Sequence, residues 1–568
     1  MITITQRNFL PQKLKVTSWE ALAPFFSQLM ERAIDTKHEL EKWLKDRSEL
    51  EAFCSEDLAW RYVRMTCDTA NADLEKAYLF FVTEIEPKIS TLNDKLNRKL
   101  IESKCINELD HDKYFIYLRS IRKEIEIFRE ENVPLVAEIQ TESQKYGSIV
   151  GSMMVTIDDK ELTLQQASNY LKNPDRKKRE EAFIKINEKR QEHAKELDEL
   201  FDKLISLRNK VAINAGFKNF RDYMFAALGR FDYSPEDCFA FHDAVQKEVV
   251  PLVKVFTEKR KKELQLETLR PWDLEVDTKN REALEPFTSG ADLLEKTIRC
   301  FKKVDEYFAW CIETMDNMER LDLESRKGKA PGGYNYPMAE TSVPFIFMNA
   351  ASSTRDVETM VHEGGHAVHS FLSKDLELAA FKSCPSEVAE LASMSMELIS
   401  YDGQDEFYKN KEDFNRAKEE HLEGIIKILP WIATIDKFQH WIYSNPNHTN
   451  DERKKYWLQL SADFGTGMVD WNGFENVKEH TWQRQLHLYE VPFYYIEYGM
   501  AQLGALAVWK NFIQDKNKAI EQYKQALSLG YTKTISEIYK TAGVEFNFSA
   551  KYINELMSFV KEELAKLD

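Results

Sequence analysis

The sequence contains few of the residues that break helices and form turns. Only 19 of its 568 residues are glycine and 16 are proline, which favours long helices over a turn-rich β fold. No stretch approaches about 20 uninterrupted apolar residues, so we expect no transmembrane helix and no membrane partner. The first residues lack a basic start followed by an apolar core, and we therefore expect no secretory signal peptide.

Cysteine is also scarce, and its pattern excludes several kinds of site. The chain has seven cysteines, an odd number, and none of them form a C-x-x-C pair. This pattern argues against a disulfide framework and against a cysteine zinc site. This usage suits a reducing compartment, so we expect a cytoplasmic protein. The net charge of −17 argues against nucleic acid as the main partner, because phosphates repel an acidic surface. The pattern does not specify an oligomeric state.

Hydropathy and charge patterns predict a soluble, mostly helical protein. Charged residues make up 30% and hydrophobic residues 43% of the chain, a balance typical of a folded chain. Residues 19–50, 73–128 and 165–211 have the apolar periodicity of long amphipathic helices. Between them, residues 148–157 look like a strand, and the turn signal Asp158-Asp159-Lys160 predicts a β-hairpin with the residues that follow.

The stretch His362-Glu363-Gly364-Gly365-His366 is the strongest chemical signal in the chain. It has the form H-E-x-x-H. On an α-helix residues four apart lie on one face, so His362 and His366 can bind one metal ion. Glu363 would then lie beside the ion, where a carboxylate can take a proton from a metal-bound water. Ser353 offers a helix cap. A solvated helix face that carries two histidines is the alternative.

The two adjacent glycines in this motif are unfavourable within a helix. Each costs about 1 kcal/mol relative to alanine, and a sequence keeps such a pair where something must approach the backbone closely. A peptide that lies against the helix would explain Gly364 and Gly365.

A glycine-rich loop and a strand precede the motif. The loop, residues 328–334, lacks the G-x-x-x-x-G-K-[ST] pattern of a phosphate cradle and leads into a strand instead of a helix. The strand, residues 342–349, is placed to pair edge-on with an extended peptide. Ordinary sheet structure is equally consistent with it. On the first interpretation, four residues are candidate substrate contacts: Gly332, Gly333, Phe345 and Phe347.

A catalytic zinc ion usually has three protein ligands and one water, so a third ligand must follow the motif. The thermolysin-like and zinc-aminopeptidase spacings would place it at Ser386 and Pro385. The metzincin spacing would place it at Leu372. None of these three residues matches its pattern, so the ligand must be sought elsewhere.

The next predicted helix opens at residues 385–386 and carries three glutamates. Glu387 and Glu390 are three residues apart and share a face, so spacing alone leaves both open as the third ligand. Glu397 lies two turns beyond Glu390 on the same face and is a candidate to orient a metal-binding histidine. A surface carboxylate is the alternative for each of them.

An aromatic run near the C-terminal end offers hydrogen-bond donors. Amide hydrolysis needs donors directed at the developing oxyanion, and the run contains His487, Tyr494 and Tyr498. The two tyrosines are four residues apart, so a helix would put both hydroxyls on one face. Core packing is the alternative, and it is the commoner role of an aromatic stripe.

The motif and its surroundings resemble a known family. Residues 362–370, HEGGHAVHS, and 388–393, VAELAS, resemble the M3 family of zinc oligopeptidases. The similarity is greatest to its oligoendopeptidase F and Pz-peptidase-like members, which are relatives of thimet oligopeptidase and neurolysin. Further similar stretches are LTLQQA at 162–167 and PFYYIEYG at 492–499. The resemblance covers most of the chain, and the N-terminal helices more weakly.

The resemblance implies a fold, a metal and its ligands. The fold would be mostly α, with two helical halves that enclose a deep substrate channel and a small β-sheet beside the zinc-binding helix. Residues 1–165 would form an N-terminal helical domain and residues 166–568 an M3-like catalytic domain. The family's third ligand matches Glu390, so one Zn²⁺ per chain would be bound by His362, His366 and Glu390.

The implied function is a zinc metalloendopeptidase that cleaves short oligopeptides internally, with Glu363 as general base. His487, Tyr494 and Tyr498 would bind substrate and polarise the scissile carbonyl. Their spacing differs from that of the mammalian members, which leaves open which tyrosine contacts the oxyanion. Two other classes remain possible: another zinc hydrolase, such as a carboxypeptidase or deacylase, and a non-catalytic peptide-binding helical protein.

Overall fold

The structure is a computed structural model that describes residues 6–567 of the chain. Helices dominate this part, which confirms the predicted mostly α fold. The helices are α1 Trp19–Glu31, α2 Lys37–Cys67, α3 Ala72–Phe80, α4 Glu86–Ile101, α5 His111–Ile127, α6 Val133–Gly151, α7 Leu164–Ser168, α8 Arg176–Glu192, α9 Ala194–Asn214, α10 Phe220–Ala227, α11 Pro235–Glu248, α12 Val250–Glu263, α13 Gly290–Val304, α14 Glu306–Asn317, α15 Thr354–Ser373, α16 Ala379–Lys382, α17 Ser386–Ile399, α18 Lys411–Ser444, α19 Asn450–Asp463, α20 Glu475–Lys478, α21 Leu486–Glu490, α22 Tyr495–Gln514, α23 Lys516–Ser528, α24 Ile535–Thr541 and α25 Ala550–Ala565. The strands are β1 Met154–Ile157, β2 Lys160–Thr163, β3 Leu321–Glu324, β4 Tyr334–Tyr336 and β5 Phe345–Ala350.

The N-terminal helices have their own hydrophobic core. Residues 19–50 contain two helices, because Thr36 and Glu39 form a capping box that starts α2 afresh after α1. Trp43 of α2 is fully buried, and its indole N–H donates to the carbonyl of Leu29 in α1 at 2.9 Å. This core therefore holds the first two helices together.

The first sheet is the predicted β-hairpin. β1 and β2 pair antiparallel, and Asp158 and Asp159 form the tight turn with φ values of 49° and 60°, which aspartate tolerates better than most residues. Residues 148–151, however, belong to α6 and are not a strand as predicted. Ile149 and Val150 pack there against the main core, which consists of buried side chains between Tyr146 and Val560. This packing outweighs their β propensity.

The second sheet leads into the motif helix. β5 is its central strand, parallel to β3 and antiparallel to β4. Both edges of β5 are therefore already paired. Of the two interpretations that the sequence left open, ordinary sheet structure is correct for this strand, and edge-on pairing with a peptide is wrong. β4 is the edge strand on its side of the sheet. Soon after β5, Ser353 and Asp356 form the capping box that starts α15, which confirms the predicted cap.

The two glycines of the motif let neighbouring elements reach the α15 backbone. A Cβ on Gly365 would lie 2.7 Å from the Cα of Ser393 and 2.9 Å from the carbonyl oxygen of Ala392, both in α17. A Cβ on Gly364 would lie 2.6 Å from the ring of Phe301 in α13. The expectation that a peptide fills this space is wrong, because the protein's own helices occupy it.

The segment between α15 and α17 links the main core to the core of the N-terminal helices. α17 packs between α15 and α22 inside the main core, whereas Leu378 and Phe381 of the connecting segment are buried in the core of the N-terminal helices. Within residues 6–567, no helix combines the length and apolarity needed to cross a membrane.

We expect Gly365→Ala to lower the free energy of unfolding by about 1–3 kcal/mol, because the added methyl group collides with backbone and not with a movable side chain. Denaturant unfolding of the metal-free protein would measure the change. The matched control is Gly424→Ala in α18, where no described atom lies within 4 Å of the new Cβ. That exposed substitution should stabilise the protein by up to about 1 kcal/mol. If both substitutions changed the free energy of unfolding equally, the close contact of α15 with α17 at Gly365 would be contradicted.

Candidate active site

Two helices bring three potential metal ligands together. α15 carries His362 and His366 on one face, and α17 carries Glu390 opposite them. Glu390 Oε2 lies 3.4 Å from Nε2 of His362 and 3.8 Å from Nε2 of His366. All three ligand atoms lie within 4.8 Å of one another. Two imidazole nitrogens and one carboxylate oxygen are the donor set of a catalytic zinc site with one position left for water.

The two glutamates that spacing left open have different surroundings. Ser393 donates a hydrogen bond to Glu390 Oε2 at 2.9 Å. Burial alone would raise the pKa of Glu390, but His362 and His366 lower it to about 2. Glu387 instead accepts a hydrogen bond from the hydroxyl of Tyr233 at 2.5 Å. The structure therefore brings Glu390, and not Glu387, to the two histidines.

A chain of hydrogen bonds holds the His362 ring through Nδ1, the nitrogen that does not face Glu390. Its Nδ1 lies 2.5 Å from Glu397 Oε1, and the other oxygen of Glu397 lies 2.9 Å from Nε2 of His421. His421 is in turn 2.6 Å from the hydroxyl of Tyr401. Burial would raise the pKa of Glu397, but the two histidines lower it to about 2. The sequence interpretation included Glu397 and missed His421, because α18 carries no local motif around it.

Glu363 is a buried carboxylate beside this group. Its Oε2 has no hydrogen-bond partner among the described residues, and its backbone carbonyl accepts from the Asn335 side chain at 3.2 Å. Burial raises the pKa of Glu363 to about 7, although the charge of His362 opposes the shift. A carboxylate with a pKa near neutrality can both accept and return a proton.

Three predicted donors from the aromatic run lie side by side. His487 is in the short helix α21, whereas Tyr494 and Tyr498 stand at the start of α22. The two tyrosine rings are 5.2 Å apart, and the His487 ring lies about 6 Å from each of them, at 6.1 and 6.0 Å. The hydroxyl of Tyr494 donates to Glu390 Oε1 at 3.1 Å. This contact joins the aromatic group to the potential metal ligands.

The protonation of His487 follows from its neighbours. Burial lowers its pKa to about 4, so the ring is neutral at pH 7. Its Nδ1 lies 2.6 Å from the side-chain amide nitrogen of Gln485, which can only donate. Nδ1 must therefore accept, and the ring proton is on Nε2, where it can be donated to another group.

A constrained turn precedes the two tyrosines. Phe493 has a positive φ of 68°, which is strained for a residue of this size. Its N–H donates to the side chain of Gln439 at 2.6 Å, and its carbonyl accepts from Arg230. Arg230 also pairs with Glu497 at 2.8 Å. These buried contacts fix the direction in which Tyr494 leaves the turn, and no sequence signal indicated them.

The predicted substrate contacts divide into two pairs. The side chains of Phe345 and Phe347 are only 6% and 0% exposed, and Phe347 stacks on Tyr334 at 4.8 Å in a small core that joins the second sheet to α2. They have no surface to offer a peptide, so their assignment as side-chain contacts is wrong. Gly332, with φ of 98°, and Gly333 lie in the loop before β4 and stay predictions.

Comparison with known proteins places this site in a family. A model described as Peptidase family M3 matches residues 169–558. The chain belongs to peptidase family M3. A second model, described as Peptidase M3 N-terminal domain, matches residues 9–128. The resemblance inferred from the sequence is therefore confirmed, and as a member of this family the chain is a metallopeptidase.

Relatives of this M3 chain are similar over most of its length. An oligoendopeptidase F homolog from Borreliella burgdorferi is 23% identical, over 89% of this chain and 87% of the relative. Oligopeptidase PepF from Bacillus subtilis is 23% identical, over 87% of this chain and 73% of the relative. In the solved structure of Pz peptidase A with an inhibitor, the chain has 26% sequence identity to this one and superposes with a TM-score of 0.90. The match covers 99% of this chain and 100% of that chain.

We expect Glu397→Gln to weaken metal binding about 10- to 100-fold, because His362 loses the charged acceptor that orients its ring. Competition with a chelator of known affinity would measure the change. Glu412→Gln, in the exposed first turn of α18, removes the same charge at the surface and should leave the affinity unchanged. An unaltered affinity in Glu397→Gln would contradict the supporting role.

Proposed function

We propose that this M3 peptidase is a zinc metalloendopeptidase that cleaves short oligopeptides internally. The observation that carries the proposal is the grouping of His362, His366 and Glu390 beside the buried carboxylate of Glu363, whose Oε2 has no hydrogen-bond partner among the described residues. The printed names of the relatives, oligoendopeptidase F and oligopeptidase, support oligopeptides as the substrate class. The seven cysteines are free thiols, which suits the proposed cytoplasmic location.

The donor set fits one zinc ion per chain at this site. His362, His366 and Glu390 would hold the ion through two nitrogens and one oxygen. When bound, zinc supplies a Lewis acid that makes a water molecule more acidic and polarises a carbonyl oxygen. Glu397 keeps the His362 ring in the orientation that directs Nε2 towards Glu390.

Glu363 acts as the general base and then as the general acid. Its unpartnered Oε2 accepts a proton from the water that attacks the scissile carbonyl. The same oxygen then donates this proton to the leaving amine nitrogen. Burial suits Glu363 to both steps, because burial raises the affinity of this carboxylate for a proton.

The aromatic group supplies hydrogen-bond donors to the substrate. Tyr494 already donates to Glu390, so we assign the contact with the developing oxyanion to Tyr498, whose ring packs against Tyr494. The Nε2–H of His487 is left to bind a carbonyl of the peptide. Donors held in place before the reaction stabilise the transition state without a cost of reorganisation.

The proposed substrate path lies between two parts of the protein. We infer that residues 1–165 and 166–568 act as the two domains, and that peptides enter a deep channel between helical halves with Gly332 and Gly333 at its wall. Such a channel admits extended peptides and excludes folded proteins. A limit on substrate length is therefore part of the proposal.

The decisive experiment is mass spectrometry of a peptide series, from five residues to a small folded protein, incubated with the wild-type chain and with Glu363→Gln. We expect internal cuts in the short peptides only, and none with the variant. Glu363→Gln should retain its metal content, because Glu363 is not among the three potential ligands.

Other product patterns would contradict the proposal. Release of single residues from the C-terminus would indicate a carboxypeptidase, and loss of an acyl group without backbone cleavage a deacylase. Binding of metal and peptide without turnover would indicate a peptide-binding protein. If Glu363→Gln kept full activity, Glu363 would not be the general base.

We expect Tyr498→Phe to lower kcat about 100- to 1,000-fold with little change in KM, because one donor to the oxyanion is lost. Tyr494→Phe, which keeps the same ring and loses only the hydroxyl, should mainly weaken metal binding, because that hydroxyl donates to Glu390. Steady-state kinetics with a quenched fluorescent peptide and chelator competition would separate the two effects. If Tyr494→Phe instead lowered kcat and Tyr498→Phe weakened metal binding, the oxyanion contact would belong to Tyr494.

A further inference from the structure

Four tyrosines gather where the N-terminal helices meet the second sheet. The ring of Tyr62 in α2 lies 5.8 Å from that of Tyr78 in α3. It also lies 5.5 Å from the ring of Tyr334 and 5.6 Å from that of Tyr336, both in β4. All four residues are half-buried, so each keeps some surface in contact with solvent. We call this group the tyrosine cluster.

The tyrosine cluster adjoins the candidate active site on two sides. Asn335, between the two tyrosines of β4, donates its side-chain N–H to the backbone carbonyl of Glu363 at 3.2 Å. On the other side lies Glu490, at the end of the helix α21 that carries His487. Burial raises the pKa of Tyr62, and the charge of Glu490 adds to the shift. The helix α21 is therefore within electrostatic range of α2.

Two carboxylates beside the tyrosine cluster lack a cationic partner. Burial raises the pKa values of Tyr78 and Tyr336, and the charge of Glu86, the first residue of α4, adds to both shifts. Neither Glu86 nor Glu490 forms an ion pair or a side-chain hydrogen bond with any residue from 6 to 567.

The surroundings of the two carboxylates leave their charge uncompensated. Water reaches both, since Glu86 is half-buried and Glu490 exposed. The protein around them nevertheless removes part of their hydration, and this desolvation raises the pKa of each without an opposing positive charge. Partly desolvated carboxylates without a cation are unfavourable. The space between them therefore favours a positive charge that a ligand brings.

Glu86 also lines a cavity that can hold a long side chain. The cavity has a volume of about 500 Å³ and lies between α4 and α6, with Asn93 and Val136 among its lining residues. Oδ1 of Asn93 is buried without a hydrogen-bond partner in the described part of the chain. This amide oxygen can accept a hydrogen bond from an N–H group. The cavity thus combines room for a side chain with acceptors on its wall.

We propose that the tyrosine cluster, together with Glu86 and Glu490, binds a cationic group of the peptide substrate. The inference rests on the proposed peptidase function and adds to it a preference for basic peptides. Aromatic faces attract ammonium and guanidinium groups, and a carboxylate beside them accepts a charge-assisted hydrogen bond. Lysine and arginine side chains and the N-terminal ammonium of a peptide share this chemistry. The net charge of −17 assists the approach of such peptides.

Peptide affinity tests the inference without turnover. Peptides labelled with a fluorophore at the C-terminus are titrated into full-length Glu363→Gln, and fluorescence anisotropy gives Kd. One set of peptides carries lysine or norleucine at successive positions, and a second set has a free or an acetylated N-terminus. We expect about 10-fold tighter binding of the charged member at one position or at the N-terminus, which also identifies the source of the cation. Equal affinities within every pair would overturn the inference.

A pair of matched variants assigns the preference to this site. Glu86→Gln, added to Glu363→Gln, should remove most of the preference and leave the affinity for the uncharged peptide unchanged. Glu84→Gln removes the same charge from an exposed residue. Residues two apart on a helix do not share a face, so this control should keep the preference. Equal loss in both variants would reflect only the net charge of the protein and would also overturn the inference.

Failure of this inference differs from failure of the proposed function. If the wild-type chain cleaves short peptides internally but no charged peptide binds more tightly, the cation site is wrong and the proposed function stands. If no peptide is cleaved but the charged peptides bind more tightly through Glu86, the proposed function is wrong and the cation site stands.

Discussion

The close contact between the backbones of α15 and α17 determines the geometry of the potential metal site. His362 and His366 come from one helix and Glu390 from the other, so the distance between the helix axes sets the distance between the ligands. Metal–ligand distances tolerate only a few tenths of an ångström. Gly365 makes the close approach possible, because any side chain there would meet the backbone of α17. Packing in the core and chemistry at the site therefore depend on the same contact.

Three glutamates near this contact have different proton affinities because their neighbours differ. Glu390 and Glu397 each face histidines, and the pKa of each is lowered to about 2. Glu363 has an unpartnered oxygen in the same buried region, and its pKa is raised to about 7. The surroundings therefore keep Glu390 and Glu397 ionised at neutral pH and leave Glu363 able to take up a proton there.

The parts of this architecture that depend on local sequence could be predicted. The H-E-x-x-H spacing, the Ser353 cap and the Asp158-Asp159 turn each act over a few residues, and all three structures are present. The position of Glu390 opposite the histidines followed from the family resemblance, because spacing alone did not distinguish it from Glu387. Features that depend on distant packing were missed or misread. Three features arise from segments far apart in the chain. They are the helices that contact the glycine pair, the central position of β5 in its sheet, and the contact of His421 with Glu397.

The segment that joins the two ligand-bearing helices is anchored outside the catalytic core. Leu378 and Phe381 are buried among the N-terminal helices, and α16 packs against α2. Any rigid-body movement of the N-terminal helices therefore pulls on the connection between α15 and α17. The N-terminal helices are thus connected mechanically to the potential metal ligands His362, His366 and Glu390, through the chain that joins α15 to α17.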